Sequence, residues 1–351
     1  MQSFKCYHKE HILSLTRLRR FETKLGERVE VVSKLNEMHI ANAGAKFVVF
    51  GIPEHIGVKA NHGIGGADTV WPDFLQAFLN MQSNDFFNGS ECLLLGHFDF
   101  SALEDLVEDN AYSATEKTDA FRHAVQRIDT EVEALVKMIV AAGKIPIAIG
   151  GGHNNAYPLI KGTAKGLHQL GRIPIPQINC INLDAHTDYR AMEGRHSGNA
   201  FRYAEEDGYL QKYFVLGVQE NFIPQNVWID IVNNPFIDLI TFEDIFIHEK
   251  RNFVQAAAHA AEFTEDNYTG IELDLDAISN VLSSAMTPSG ISSLHARQYV
   301  NMMAAYAKPA YFHICEGAAA LSDGRTDAAT GKLIALLACD FMKAMQANGK
   351  A

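Results

Sequence analysis

The chain has 351 residues and carries 30 Lys plus Arg against 42 Asp plus Glu, a formal net charge of −12. Hydrophobic residues at 47 % and charged ones at 21 % suit a globular chain long enough for one large α/β domain or two medium ones. The acidic balance argues against a protein whose task is to coat nucleic acid or an anionic membrane, because both need a basic face. No stretch approaches the roughly 20 apolar residues that a membrane span requires. The first residues, MQSFKCYHKEHILSLTRLRR, contain no continuous apolar run and no small-residue cleavage site, so they do not read as a secretory signal. Five scattered cysteines without CxxC spacing (Cys6, Cys92, Cys180, Cys315 and Cys339) read as reduced thiols, and a cytoplasmic location is expected.

In chain order, residues 1–45 are expected to form an extension packed on a single domain of residues 46–351. The first predicted strand is Lys46–Gly51 (KFVVFG), followed by a Gly-rich loop and a helix over Asp68–Met81. A strand at Cys92–Leu95 precedes a long amphipathic helix, Thr115–Ala142, which ends at Gly143, a residue suited to a helix C-terminus. Then come a strand at Ile145–Gly150 (IPIAIG), a helix at Asn154–Gly166, and strands at Ile178–Leu183, Tyr213–Val218 and Ile237–Thr241. The remainder reads as a helix at Phe253–Phe263, a strand at Gly270–Leu275, a helix at Ser292–Ala307, a strand at Ala310–Cys315 and a helix at Asp327–Met345. Eight candidate strands, several of them near-continuous apolar runs, alternate with helices and predict an α/β domain with a mostly parallel sheet covered on both faces.

Chemistry concentrates where predicted strands run out. Asp184, His186 and Asp188 in DAHTD sit at i, i+2 and i+4, and on an extended segment such side chains point the same way. Alone, this pattern fits either metal ligation or a solvated loop. Asp274 and Asp276 in ELDLD form a second pair; two carboxylates there are expensive to bury without a cation, although a helix cap plus a solvated acid is the plainer reading. The third element is Gly150-Gly151-Gly152-His153, whose glycines allow a sharp turn before His153. It lacks the GKS/T or GxGxxG continuation of a phosphate loop. All three elements fall at carboxyl ends of strands, the face on which open α/β sheets bind ligands. Four carboxylates and two imidazoles favour hard or borderline ions such as Mn²⁺, and four negative charges match two divalent cations.

GGGH, DAHTD and the later DxD, in this order and followed by Pro288-Ser289-Gly290, resemble the metal signatures of the arginase/agmatinase/formiminoglutamase superfamily from about Lys46 onward. The resemblance implies a three-layer α/β/α fold with an eight-stranded parallel sheet and two Mn²⁺ per chain. One ion would be held by His153, Asp184, Asp188 and Asp274, and the other by Asp184, His186, Asp274 and Asp276. It further implies that Asp188 passes on a proton from a bridging hydroxide and that Glu316 in HICEG pairs with a cationic amidine head. As a plainer alternative, Glu316 would cap a helix. GGGHNN and the runs DAHTDYR and HSGNAFR are closer to formiminoglutamases than to arginases, which implies that Arg190 binds a substrate carboxylate, with Asn155 and Ser197 also facing substrate. Read plainly, Arg190 is a surface salt-bridge residue. His196 precedes the agmatinase-type shuttle position, and either a proton relay or a loop histidine fits.

The expected activity is hydrolysis of N-formimidoyl-L-glutamate to L-glutamate and formamide, in histidine degradation. Thr187 is the arginase-like choice at its position, which keeps a guanidino-compound hydrolase releasing urea as the alternative. A metal-binding but catalytically silent relative is the reading from another class. The expected partners are a small amidine or guanidine and further copies of the chain, with no nucleic acid and no membrane.

Overall fold

The structure, a computed structural model, describes residues 2–349. Nine strands form one sheet: β1 (Phe4–Cys6), β2 (Phe47–Gly51), β3 (Cys92–Phe98), β4 (Ile145–Ile149), β5 (Ile178–Leu183), β6 (Leu210–Val218), β7 (Ile237–Thr241), β8 (Thr269–Asp274) and β9 (Pro309–Cys315). Their order is β1-β3-β2-β4-β9-β8-β5-β6-β7. Every pairing is parallel except β1 on β3. The eight strands expected from sequence are the eight parallel ones, and the ninth comes from the N-terminal segment. Its three residues pair with Gly96, His97 and Phe98, which is why β3 runs three residues past Leu95.

Alternation divides the core between the two faces of the sheet. Phe47 and Val49 of β2 join the helices Val70–Leu79, Phe253–Phe263, Ser293–Tyr306 and Thr330–Ala347 on one face. Val48 and Phe50 join the helices Ala114–Ala141, Ala156–Gln169 and Ala200–Glu206 on the other. The result is three layers, α/β/α. The long Ala114–Ala141 helix begins with a reciprocal cap: the Ser113 hydroxyl accepts from the Glu116 N–H at 3.2 Å, and the Glu116 carboxylate accepts from the Ser113 N–H at 2.9 Å. It stops at Gly143, whose φ of 76° needs no Cβ penalty.

The expected Asn154–Gly166 helix starts later. His153–Asn155 make a 3₁₀ turn and the α-helix runs Ala156–Gln169, so the first polar residues of that run face inward instead of continuing the helix surface. Among the described residues no helix is long and apolar enough to cross a membrane. The five thiols are free; four are buried and Cys6 is half-buried.

One ion-pair cluster fixes the loop after β2. His55 lies between two acids, with Nδ1 2.5 Å from Asp68 and Nε2 2.6 Å from Glu104, which also accepts from Lys59 at 2.6 Å. Burial disfavours the imidazolium, but the hydrogen bonds and charges of Asp68 and Glu104 prevail and raise its pKa to about 9. A folded-state pKa above the unfolded one stabilises fully below the unfolded value near 6.5, and the gain is lost as pH rises through about 9. At 1.36 kcal/mol per unit this is worth about 3 kcal/mol. Urea unfolding from pH 6 to 10 should show that loss in the wild-type chain, and His55→Gln should flatten it; an unchanged slope would refute the coupling.

Candidate metal centre

The four central strands, β4, β9, β8 and β5, all deliver polar residues to the same edge of the sheet. After β4 the backbone turns through Gly150 and Gly151, at φ 84° and 80°, conformations that side chains rarely adopt. A Cβ on Gly151 would stand 2.7 Å from the Ile52 carbonyl oxygen, so the turn needs glycine on contact grounds as well. The turn is held by Glu54, a buried carboxylate that accepts from Gly57 N–H (3.2 Å), Gly152 N–H (3.1 Å), Asn154 Nδ2 (3.2 Å) and Asn155 Nδ2 (2.6 Å). His153 is thereby aimed at the ends of β5 and β8.

His153 Nδ1 lies 2.8 Å from Asp188, 3.1 Å from Asp274 and 3.3 Å from Asp184. On the other side, His186 Nδ1 lies 3.3 Å from Asp276 and 3.6 Å from Asp184. Two groups with ligand atoms within 4.8 Å of one another result: His153, Asp184, Asp188 and Asp274, and Asp184, His186 and Asp276. They share Asp184. Asp274, expected in both groups, belongs to the first only. Two of the carboxylates are oriented from behind: Asp184 accepts from Asn182 Nδ2 (2.8 Å) and His186 N–H (2.7 Å), and Asp274 from Asp276 N–H (2.9 Å). Phe201 packs edge-on against the His153 ring, and Phe222 stacks on His186 with centroids 5.2 Å apart.

The electrostatics favour a cation. Burial and the neighbouring charges of Asp276 and Asp184 push the Asp274 carboxyl well above the usual range, and burial with Asp184 raises Asp188 to about 6. Despite the short distances, neither ring nitrogen of His153 nor Asp276 Oδ1 is in hydrogen-bonding geometry with any partner, although all three are buried. Unpaired buried acceptors ringed by carboxylates fit metal ligation, which satisfies both lone pairs and charge.

A cavity of about 520 Å³, sized for a small molecule, opens over these residues. His186, Asp188, Asp274, Asp276, Glu316, Arg190 and Ser197 all line it. Glu316 follows β9; one oxygen accepts the His153 N–H (2.8 Å) and the other the Ser284 hydroxyl (3.2 Å). Burial and the Asp276 charge raise its pKa to about 8. Arg190 is half-exposed, with Nη1 donating to Asn61 Oδ1 at 3.0 Å and Nη2 3.4 Å from Glu193. Asp188 and Glu316 both have left-handed backbones, at φ 44° and 61°.

Two residues expected at the site are not brought to the cavity. Asn155 turns away to Glu54 and the Gly152 carbonyl. His196 is fully buried, its Nδ1 accepting the Gly198 N–H at 3.1 Å and its Nε2 3.2 Å from Glu193. Burial and the Arg190 and Arg122 charges lower its pKa to about 3, so it is neutral and braces the loop. Glu54, Asn61, Phe222 and Ser284 went unnoticed in the sequence. Only Glu54 left a trace there, an acid directly after an apolar strand.

The Arginase family profile matches residues 45–341. Formimidoylglutamase of Psychrobacter cryohalolentis is 27 % identical over 247 residues, spanning 66 % of this chain and 67 % of that one. Formimidoylglutamase of Streptococcus pyogenes is 28 % identical over 162 residues, so the match spans about half of that relative, 48 %, and 44 % of this chain. Among solved structures, Trypanosoma cruzi formiminoglutamase with Mn²⁺ superposes at a TM-score of 0.68 and 19 % identity, covering 92 % of this chain and 98 % of that one. At that identity the likeness concerns the fold.

Because a cation would relieve the buried acids, adding a divalent metal should raise the unfolding temperature by several degrees, from about 2.7 kcal/mol per site at a hundredfold excess over Kd. EDTA should reverse it. Thermal unfolding with Mn²⁺ against EDTA is the measurement, and no shift would count against the site.

Proposed function

The chain belongs to the arginase family, and from that premise we propose that it is a binuclear manganese hydrolase cleaving a linear amidine C–N bond. The proposed substrate is N-formimidoyl-L-glutamate, which with one water gives L-glutamate and formamide. The observation that carries this reading is the grouping of two histidines and four aspartates at the ends of adjacent strands, under a cavity whose wall also holds Arg190 and Glu316. The proposal takes residues 46–351 as one hydrolase domain with residues 1–45 packed on it, in a cytoplasmic homo-oligomer.

His153, Asp184, Asp188 and Asp274 would hold one ion, and Asp184, His186 and Asp276 the other. Bound there, divalent cations would supply the charge that lowers the pKa of a water so that it is nucleophilic near neutral pH. Asp188 would accept that water's proton and return it to the departing amine. Glu316, fixed by the His153 N–H and the Ser284 hydroxyl, would pair with the amidine head and set the reacting carbon over the aspartates. Arg190, its guanidinium steadied by Asn61, would take one of the two substrate carboxylates, and Ser197 stands beside it in the wall. His196 and Asn155, in contrast, act as braces in this reading.

Mn²⁺-loaded protein should release formamide from N-formimidoyl-L-glutamate and no urea from arginine or agmatine, with both products assayed in parallel. Urea without formamide would replace the substrate assignment by a guanidino compound. No turnover on any amidine with two metals bound would leave a silent relative. Arg190→Ala should lower kcat/KM by about 10- to 100-fold, the loss of a charge-assisted hydrogen bond, with metal content unchanged. Asp274→Ala should lose at least one ion per chain by elemental analysis and nearly all turnover; two retained ions would refute its role as a ligand.

A further inference from the structure

Behind His153, on the side away from the aspartates, lies a buried polar group that the proposed reaction does not use. Glu272 on β8 stands opposite His313 on the neighbouring β9, and both are fully buried together with Tyr311. Alternation puts Gly270, Glu272 and Asp274 on one face of β8, and Tyr311, His313 and Cys315 on the same face of β9. Glu272 therefore sits one step below the metal-facing acid on its own strand. A carboxylate in such a place needs donors on both oxygens. Tyr311 Oη donates to Oε1 and His313 Nδ1 to Oε2, each at 2.6 Å. The tyrosine reaches across β8 only because residue 270 is glycine: a Cβ there would lie 2.5 Å from the phenol oxygen.

Glu272 Oε2 is the carboxylate oxygen that faces His153 Nε2, at 3.5 Å, and that nitrogen, fully buried, is in hydrogen-bonding geometry with no partner. Since Nδ1 is turned to three aspartates, ligation through Nδ1 puts the ring proton on Nε2, where it needs an acceptor. We propose that Glu272, clamped by Tyr311 and His313, is a positioning residue. It fixes the tautomer and ring plane of His153 and strengthens its hold on one of the two ions. The inference rests on the reading of His153 as a metal ligand.

The test is Mn²⁺ binding to the full chain, followed by calorimetry, by elemental analysis and by the electron paramagnetic resonance signal of the coupled ion pair. Glu272→Ala should weaken one Mn²⁺ by about 10- to 100-fold and leave the other nearly unchanged, so that the coupled signal gives way to that of a single ion. Glu272→Gln keeps the shape and an acceptor oxygen but loses the charge, and should fall in between; Tyr311→Phe should weaken the same ion less. Unfolding of the metal-free variants separates a lost clamp from a lost fold, and Glu272→Gln carries the test if the alanine variant does not fold. His153→Ala serves as the reference and should lose that ion outright. Two ions held at wild-type strength in both Glu272 variants, with one lost in His153→Ala, would overturn the positioning role alone. Two ions retained in His153→Ala would overturn the ligand reading beneath it. A third ion in the wild-type chain, lost in Glu272→Ala, would also overturn the inference, because His153, Glu272, His313 and Cys315 would then be a metal site of their own.

Discussion

Like charge held out of water is the constraint around which this molecule is organised. Asp184, Asp274 and Asp276 are almost fully buried within reach of one another, and Asp188 and Glu316 stand beside them. Carboxylates in that state repel one another and have lost their hydration, so a fold that gathers them has to restrain them from outside and be neutralised from within. The restraint comes from backbone N–H groups and a side-chain amide that hold Asp184 and Asp274, from Asn182 behind Asp184 to the N–H of Asp276 before Asp274. Two residues of the wall, Asp188 and Glu316, are kept in left-handed backbone conformations as well. Such strain persists only where surrounding structure over-determines it, and here it coincides with the groups nearest the cavity.

The parts of this arrangement that were legible in the sequence are those written in a few consecutive residues. DAHTD, ELDLD and GGGH each follow the end of a central strand, so their place in the chain brings them to the same edge, although DAHTD lies past β5 and Asp276 sits in a 3₁₀ turn instead of on an extended strand. The eight parallel strands were legible for a related reason: a strand buried on both faces is a continuous apolar run. β1 was not, because three residues of mixed burial carry no periodicity and are strands only through their pairing with β3.

What stayed hidden depends on partners distant in the chain. Glu54 finds the turn at Gly152 across 98 residues, Arg190 finds Asn61 across 129, and Glu272 finds His313 across 41. Asn155 and His196 show the reverse. Their positions beside signature motifs suggested contact with substrate, yet the amide is taken by a buried carboxylate and the imidazole by a backbone N–H. A buried polar group left unmet costs more than a missed ligand contact returns, so a nearby acceptor, Glu54, decided the orientation of Asn155 and a nearby donor, the Gly198 N–H, that of His196.

The strand order has a consequence for how the two sides of the centre are joined. β9, the last of the nine described strands in chain order, lies in the middle of the sheet between β4 and β8. Without it the sheet divides into two half-sheets, β1-β3-β2-β4 and β8-β5-β6-β7, with no strand pairing between them. Asp184, His186, Asp188, Asp274 and Asp276 all belong to the later half, while His153 belongs to the earlier one. Without β9 the acids after β5 and β8 have no strand pairing that connects them to β4 and His153, although Phe201 and Arg195 already pack on the His153–Asn154 turn. Pairing of β9 with both β4 and β8 joins the halves into one sheet, and so fixes the distance between His153 and the acids on β8.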